Sequence, residues 1–203
     1  MSLITRSAAL TALTALLALP VLAATEEYTI DKAHTSPGFE VLHLGISTQR
    51  GRFEKTTGKI VLDREAGQGS IDIVIDTTSV STGATLLDGV LRGDDFFNVE
   101  RFPTIAFHSK SMEFEGGVPK RALGDLTLLG ITKPVTLAIE RFGCTRLPFF
   151  VRTTCGADVS TRLSRTAFGM SRYLTYISDE VKIVIQIEAV KNEPAAEPAP
   201  SGG

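Results

Sequence analysis

The sequence predicts an all-β fold, an antiparallel β-barrel of about eight strands with one short helix. Three observations carry that reading. Residues 123–140, LGDLTLLGITKPVTLAIE, form two arms that alternate apolar and polar residues, with Gly130, Thr132, Lys133 and Pro134 between them as a turn. The same period of two recurs along most of the chain. Helical spacing shows at only one place, TLLDGVLRGDDFFN, where Leu87, Val90 and Leu91 fall on one face and Thr85 with Asp88 resembles a helix start.

In chain order, the first strand is EEYTIDK, residues 26–32. After HTSPG, residues 39–46 and 47–53 are extended and broken at Gly45 and Gly51. In residues 58–63, Ile60 and Leu62 face one way; in IDIVID, Ile71, Ile73 and Ile75 oppose Asp72, Val74 and Asp76. Ile105 and Phe107 share a face, as do Gly124, Leu126 and Leu128 on the first arm of the hairpin and Val135, Leu137 and Ile139 on the second. Ala157, Val159, Thr161 and Leu163 alternate with polar residues, and so do Val181, Ile183, Ile185 and Ile187. Strands with one apolar face bury it most simply by closing into a barrel, which also removes exposed edges; a sandwich is the runner-up.

The 203 residues are 43% hydrophobic, enough for one core. The net charge is -2, and a leader whose only charge is Arg6 takes it to -3 when removed. No Lys or Arg run forms a phosphate-tracking stripe, so nucleic acid is not an expected partner. Residues 1–23, MSLITRSAALTALTALLALPVLA, read as a cleaved secretory signal peptide: a short charged start, an apolar run too brief to cross a bilayer, then small residues. The mature protein is expected to be periplasmic, with no membrane span, as one domain over residues 24–191. Residues 192–203, NEPAAEPAPSGG, have almost nothing to bury and read as a disordered tail.

Cys144 and Cys155 both fall in the exported part and suit a disulfide stapling adjacent strand ends, worth roughly 2 to 3 kcal/mol for so short a loop. Redox catalysis is the weaker alternative, because the pair lacks CxxC spacing. No nucleophile elbow, zinc helix, P-loop or dinucleotide fingerprint is present. His108 shares a polar face with Lys110. His34 and His43 are nine residues apart, on opposite faces of a continuous strand, so no metal site is expected. His43 shares parity with Phe39 and Val41 and reads as a core histidine. The phenylalanines at positions 39, 53, 96, 97, 102, 107 and 168 gather at strand ends and around the helix. Periodicity alone does not say whether such a barrel is filled or hollow.

Five segments carry a resemblance: IDKAHTSPGFEVLHLGISTQRGRFEKTTGKIVLD, IDTTSVSTG, LRGDDFFNVERFPTIAF, LGDLTLLGITKPVTLAI and SRTAFGMSRYLTYISDEVKIVIQIEAVK. In this order they resemble the YceI-like, polyisoprenoid-binding family of exported, lipocalin-like proteins. The stretch from Cys144 to Cys155 departs from that pattern, and Gly93 stands where a serine is usual. The resemblance implies an extended barrel holding a polyprenyl, quinone or fatty-acyl tail, its polar head near the helix-side opening. Such a protein is expected to be non-catalytic and to need no cofactor. Expected tail contacts are Phe39, Val41, Phe53, Ile73, Ile75, Leu126, Leu128, Val135, Leu137, Ile183 and Ile185, with Leu87, Leu91, Phe96 and Phe97 closing the helix end. His34, Arg50 and Arg92 are expected head-group partners, two cations and an imidazole suited to a pyrophosphate or a quinone carbonyl. Two other functions stay open: an enzyme acting on such a lipid with His34 or His43 as base, and a filled-barrel structural or stress-response module. The oligomeric state is also open, a homodimer included.

Overall fold

The computed structural model describes residues 25–146 and 152–193. The expected leader, residues 147–151 between the cysteines, and the tail from residue 194 lie outside the described residues. Asn192, assigned above to the tail, donates its backbone N–H to the Glu27 carbonyl (2.7 Å) and its side-chain amide to the Glu27 carboxylate.

The strands are β1 (Glu26–Ile30), β2 (Ser36–His43), β3 (Ser47–Phe53), β4 (Thr56–Asp63), β5 (Gln68–Asp76), β6 (Val80–Ser81), β7 (Thr104–Glu115), β8 (Val118–Leu128), β9 (Ile131–Arg146), β10 (Thr153–Ser164) and β11 (Ile177–Lys191). One short helix, α1 (Thr85–Arg92), follows β6. β1 and β2 are two halves of one broken stave, and β3 and β4 of the next: β1 pairs with β4, β2 with β3, and both β1 and β2 pair with β11. The ring then runs through β5, β7, β8, β9 and β10 back to β11. This is a closed antiparallel barrel of eight staves, and the sandwich alternative is excluded. No helix among the described residues is long and apolar enough to cross a membrane.

Alternation decides the wall. Between register shifts every second residue of a stave faces the lumen, so the apolar sets read from sequence on β5, β7, β8, β10 and β11 all point inward. Charged pairs such as Lys110–Asp125 (2.8 Å) and Arg50–Glu40 (2.8 Å) cover the outside. Being solvated, each contributes at most about 1 kcal/mol.

Three local features differ from the sequence expectation. The β8–β9 turn is only two residues, Leu129 and Gly130, both at positive φ (52° and 72°), which matches the twist of the flanking strands. Thr132, Lys133 and Pro134 belong to β9 instead of to the turn. Pro134 is tolerated there because β10 pairs with β9 only from Ala138 onward, so no second ladder needs its missing N–H. At α1 the cap residue is Ala84, with no side-chain cap; Asp88 instead accepts the backbone N–H and hydroxyl of Thr82, at 2.7 Å each. Of the apolar face read for that helix, Leu91 is buried, while Leu87 and Val90 are exposed.

The third feature is a β-bulge. Arg141 pairs with Asp158, yet Ile139 pairs with Val159, leaving Glu140 as an extra residue on β9. The bulge inverts the inside–outside order, so Phe142 rather than Arg141 faces the lumen.

Glycine makes room for bulk at two places on the wall. A Cβ on Gly51 would lie 2.3 Å from Cζ of Phe39, its cross-strand partner, and one on Gly124 would lie 2.7 Å from Cζ of Phe107. The tip of each ring therefore reaches over a bare stretch of backbone. That arrangement keeps the lumen open.

Candidate functional site

A continuous cavity of about 240 Å³ occupies the barrel. Its lining runs from Leu91, Phe96, Phe97, Met170 and Ile177 at the α1 end to Tyr28, Met112, Pro119, Phe142 and Cys155 at the other. Along β11 alone the lining extends from Ile177 to Ala189, about 40 Å of strand. The barrel is therefore hollow, narrow and long.

Its wall is almost wholly hydrocarbon. Among the described residues its titratable side chains, the bridged Cys155 aside, are Tyr28 and Arg165, and both are occupied. The Tyr28 hydroxyl donates to Glu26 (2.7 Å), and burial together with that carboxylate pushes its pKa up, so it stays neutral. Such a wall favours an apolar chain and offers no acid–base pair for chemistry.

Fourteen of the eighteen expected ligand contacts line this cavity: Phe39, Val41, Phe53, Ile73, Ile75, Leu91, Phe96, Phe97, Leu126, Leu128, Val135, Leu137, Ile183 and Ile185. Phe39, Phe53 and Phe97 meet as a ring cluster, with centroids 5.1 to 6.0 Å apart. Leu87, exposed on α1, is not part of the lining, and the three expected head-group partners lie elsewhere too. Arg50 is paired with Glu40 on the outer surface, and Arg92 donates to the Thr78 and Val80 carbonyls (3.0 and 2.8 Å), tying α1 to the chain entering β6. His43 ends β2 next to the hairpin turn and is not in the lining; His108 lies on the outer face, 2.7 Å from Asp72.

His34 has a different setting from the one expected of it. It sits in the corner between β1 and β2, where its Nδ1 is 2.8 Å from Asp31 and Glu188 is close enough that ligand-type atoms of all three lie within 4.8 Å of one another. The hydrogen bond and charge of Asp31, then the charge of Glu188, raise the His34 pKa; the His34 hydrogen bond lowers that of Asp31. The imidazole's contribution is full below its ordinary pKa and fades as pH rises through the raised value. The carboxylate's is present above its ordinary value and is lost as pH falls through the depressed one, so the corner is firmest between the two. An NMR titration should place the His34 midpoint above the ordinary imidazole value, and Asp31→Asn should bring it down; an unmoved midpoint would remove Asp31 as the cause.

Among the lining residues that were not expected, two stand apart because alternation does not place them in the wall. Arg165, only 4% exposed, lines the α1 end and donates to four backbone carbonyls: Ser178 and Ile177 (2.9 Å each), Met170 (2.9 Å) and Arg172 (2.8 Å). It holds the loop from Gly169 to Ile177 that forms this end of the cavity. Phe142 lines the other end because of the bulge. The break in alternation at RTAFGMSRYLTYISDE is the one sequence signal for the first; strict alternation hides the second.

The two ends differ in surface character. Around α1 gather exposed apolar side chains, among them Ile46 (82% exposed) and Leu86 (89%), with Leu44, Val90, Tyr173, Leu174 and Tyr176. Leu44 N–H donates to the Tyr176 carbonyl (2.6 Å) and Tyr173 stacks on Phe96 (6.3 Å), so the hairpin tip, the loop and the α1 segment form one rim. At the opposite end Cys144 and Cys155 are disulfide-bonded across directly paired positions, and polar groups lie outside.

A family model described as the YceI-like domain matches residues 28–189, the whole barrel from β1 to β11. A UPF0312 protein of Shewanella denitrificans is 35% identical over 86% of this chain and 93% of its own length. Among solved structures, Burkholderia cenocepacia BcnA superposes with a TM-score of 0.67 at 22% identity, covering 78% of this chain and 98% of that one. A polyisoprenoid binding domain from Saccharophagus degradans superposes with a TM-score of 0.58 at 17% identity, covering 81% and 98%. The likeness to these two structures is one of fold, while the family match and the sequence identity extend over the same eight staves that enclose the cavity. On that ground the chain belongs to the YceI-like family.

Proposed function

We propose that the protein is a non-catalytic periplasmic binding or carrier protein that holds one long apolar chain, polyprenyl, quinone or fatty acyl, inside the barrel. The observation that carries this reading is the hydrocarbon-lined cavity running along the staves. The polyisoprenoid binding domain of S. degradans, which has the same fold, supports an isoprenoid as one ligand class. Each methylene buried contributes about 0.8 kcal/mol, so ten give roughly 8 kcal/mol, near micromolar affinity before ordering costs are subtracted. The tail dominates binding and the head tunes it. The head sits at the α1 end, where exposed apolar side chains form the rim.

Native mass spectrometry of gently purified protein tests the reading. An apolar ligand released unchanged supports it; a chemically altered ligand would favour an enzyme, and a bare protein with no lipid affinity a structural barrel. Leu128 lines the cavity close to the β8–β9 turn and is only partly buried, so Leu128→Glu should abolish lipid co-purification while the barrel still folds. Retained lipid would count against a channel at that place.

A further inference from the structure

We propose that Phe142 is the stop for the far end of the bound tail and sets the longest chain the barrel accepts. This rests on the lipid-binding reading above and adds to it a residue that fixes specificity. Four observations converge on the ring. The bulge at Glu140 turns it inward, at a position where unbroken alternation would have placed Arg141. The next pair of residues on β9 and β10 is Gly143 opposite Gly156, so no side chain stands on these two strands between the Phe142 pair and the cysteines. Beyond that pair the disulfide between Cys144 and Cys155 fixes the two strands together, so the end of the barrel cannot splay. The ring packs against the cluster of Tyr28, Cys155 and Ala189, with Met112 and Phe114 alongside.

Outside this floor the surroundings are polar. The Arg64 guanidinium lies over the Phe142 ring, 5.6 Å from its centroid, and donates to the Gly117 carbonyl (3.0 Å). Glu26 accepts the Tyr28 hydroxyl and pairs with Lys191. A chain emerging here would meet charge and water, whereas at the α1 end it meets exposed leucine, isoleucine and tyrosine. The tail therefore enters past α1 and ends against Phe142. Phe142 lies two residues before Cys144, so the disulfide holds the strand that carries the stop.

A homologous series of straight-chain fatty acids, each displacing an environment-sensitive naphthylphenylamine probe, measures the limit directly. In the unaltered protein affinity should rise about fourfold per added methylene and then stop rising at one chain length. Phe142→Ala should carry the rise on to longer members; Phe142→Trp should end it earlier. Phe142→Leu, which keeps a branched apolar side chain, serves if the alanine variant does not fold. The same limit in all variants would overturn the assignment of the stop while leaving lipid binding intact. Failure of the unaltered protein to bind any member would count against lipid binding itself, and the stop would fall with it.

Discussion

Replacing Arg165 with methionine is expected to destabilise the protein by about 3–5 kcal/mol and to lower its Tm by roughly 10 °C. Methionine fills much of the same volume, so the cost is that of the donors. The guanidinium satisfies four backbone carbonyls, two in the loop between β10 and β11 and two at the start of β11, and no other described side chain donates to these oxygens. Without it they are left unpaired or drag the loop outward to find water. The charge itself is tolerated because Asp179 lies near: burial pulls the Arg165 pKa down and Asp179 opposes that pull. Asp179 is held below its ordinary value chiefly by Ser164, together with the Thr166 N–H. Arg165→Lys should rescue little, since one ammonium cannot span carbonyls on opposite sides of a planar fork. Urea unfolding followed by circular dichroism reads the first effect. Faster hydrogen exchange at Phe168 and Met170, whose amides donate to the Arg165 carbonyl, reads the second. A loss below about 1 kcal/mol would mean that the loop carbonyls rehydrate freely in place.

How much of this was legible in the sequence follows from what a period of two can encode. Ile71, Ile73 and Ile75, or Val181 to Ile187, declare their wall because every partner on the ladder agrees with them. The positions that escaped are those where the ladder breaks. Glu140 shifts the parity of β9, and nothing in FGC announces that Phe142 should point inward. Leu129 takes positive φ in place of the usual asparagine, so residue type does not mark the turn at Leu129 and Gly130. The exposed Leu86 and Val90 have helical spacing but no core to face. The assignment of His34, Arg50 and Arg92 to the head group came from residue type alone, and residue type does not record that β1 and β2 are separate segments with a polar corner between them.

The hollowness itself gives the last prediction, because two glycines maintain it by different means. On Gly124 an added Cβ would lie 2.3 Å from the carbonyl oxygen of His108 and 2.7 Å from Cα of Ser109, both backbone atoms of β7. Backbone in a closed barrel has nowhere to go, so Gly124→Ala should part β7 from β8 and cost about 3 kcal/mol. The reduced freedom of an alanine in the unfolded chain offsets only about 0.4–1 kcal/mol of this. On Gly51 the contacts within 3 Å are all ring atoms of Phe39, at 2.3, 2.8 and 2.9 Å. A ring can turn, and the space beside it is the cavity, with Phe53 and Phe97 each at 6.0 Å. Gly51→Ala should therefore cost only about 1 kcal/mol in stability but push the ring into the path of the tail, weakening fatty-acid binding about tenfold. Melting curves and probe displacement on the two variants should separate them, the first losing stability most and the second affinity most. Full affinity in Gly51→Ala would mean that the Phe39 ring moves along the wall instead of into the lumen, and that the lumen at this height is wider than one chain requires.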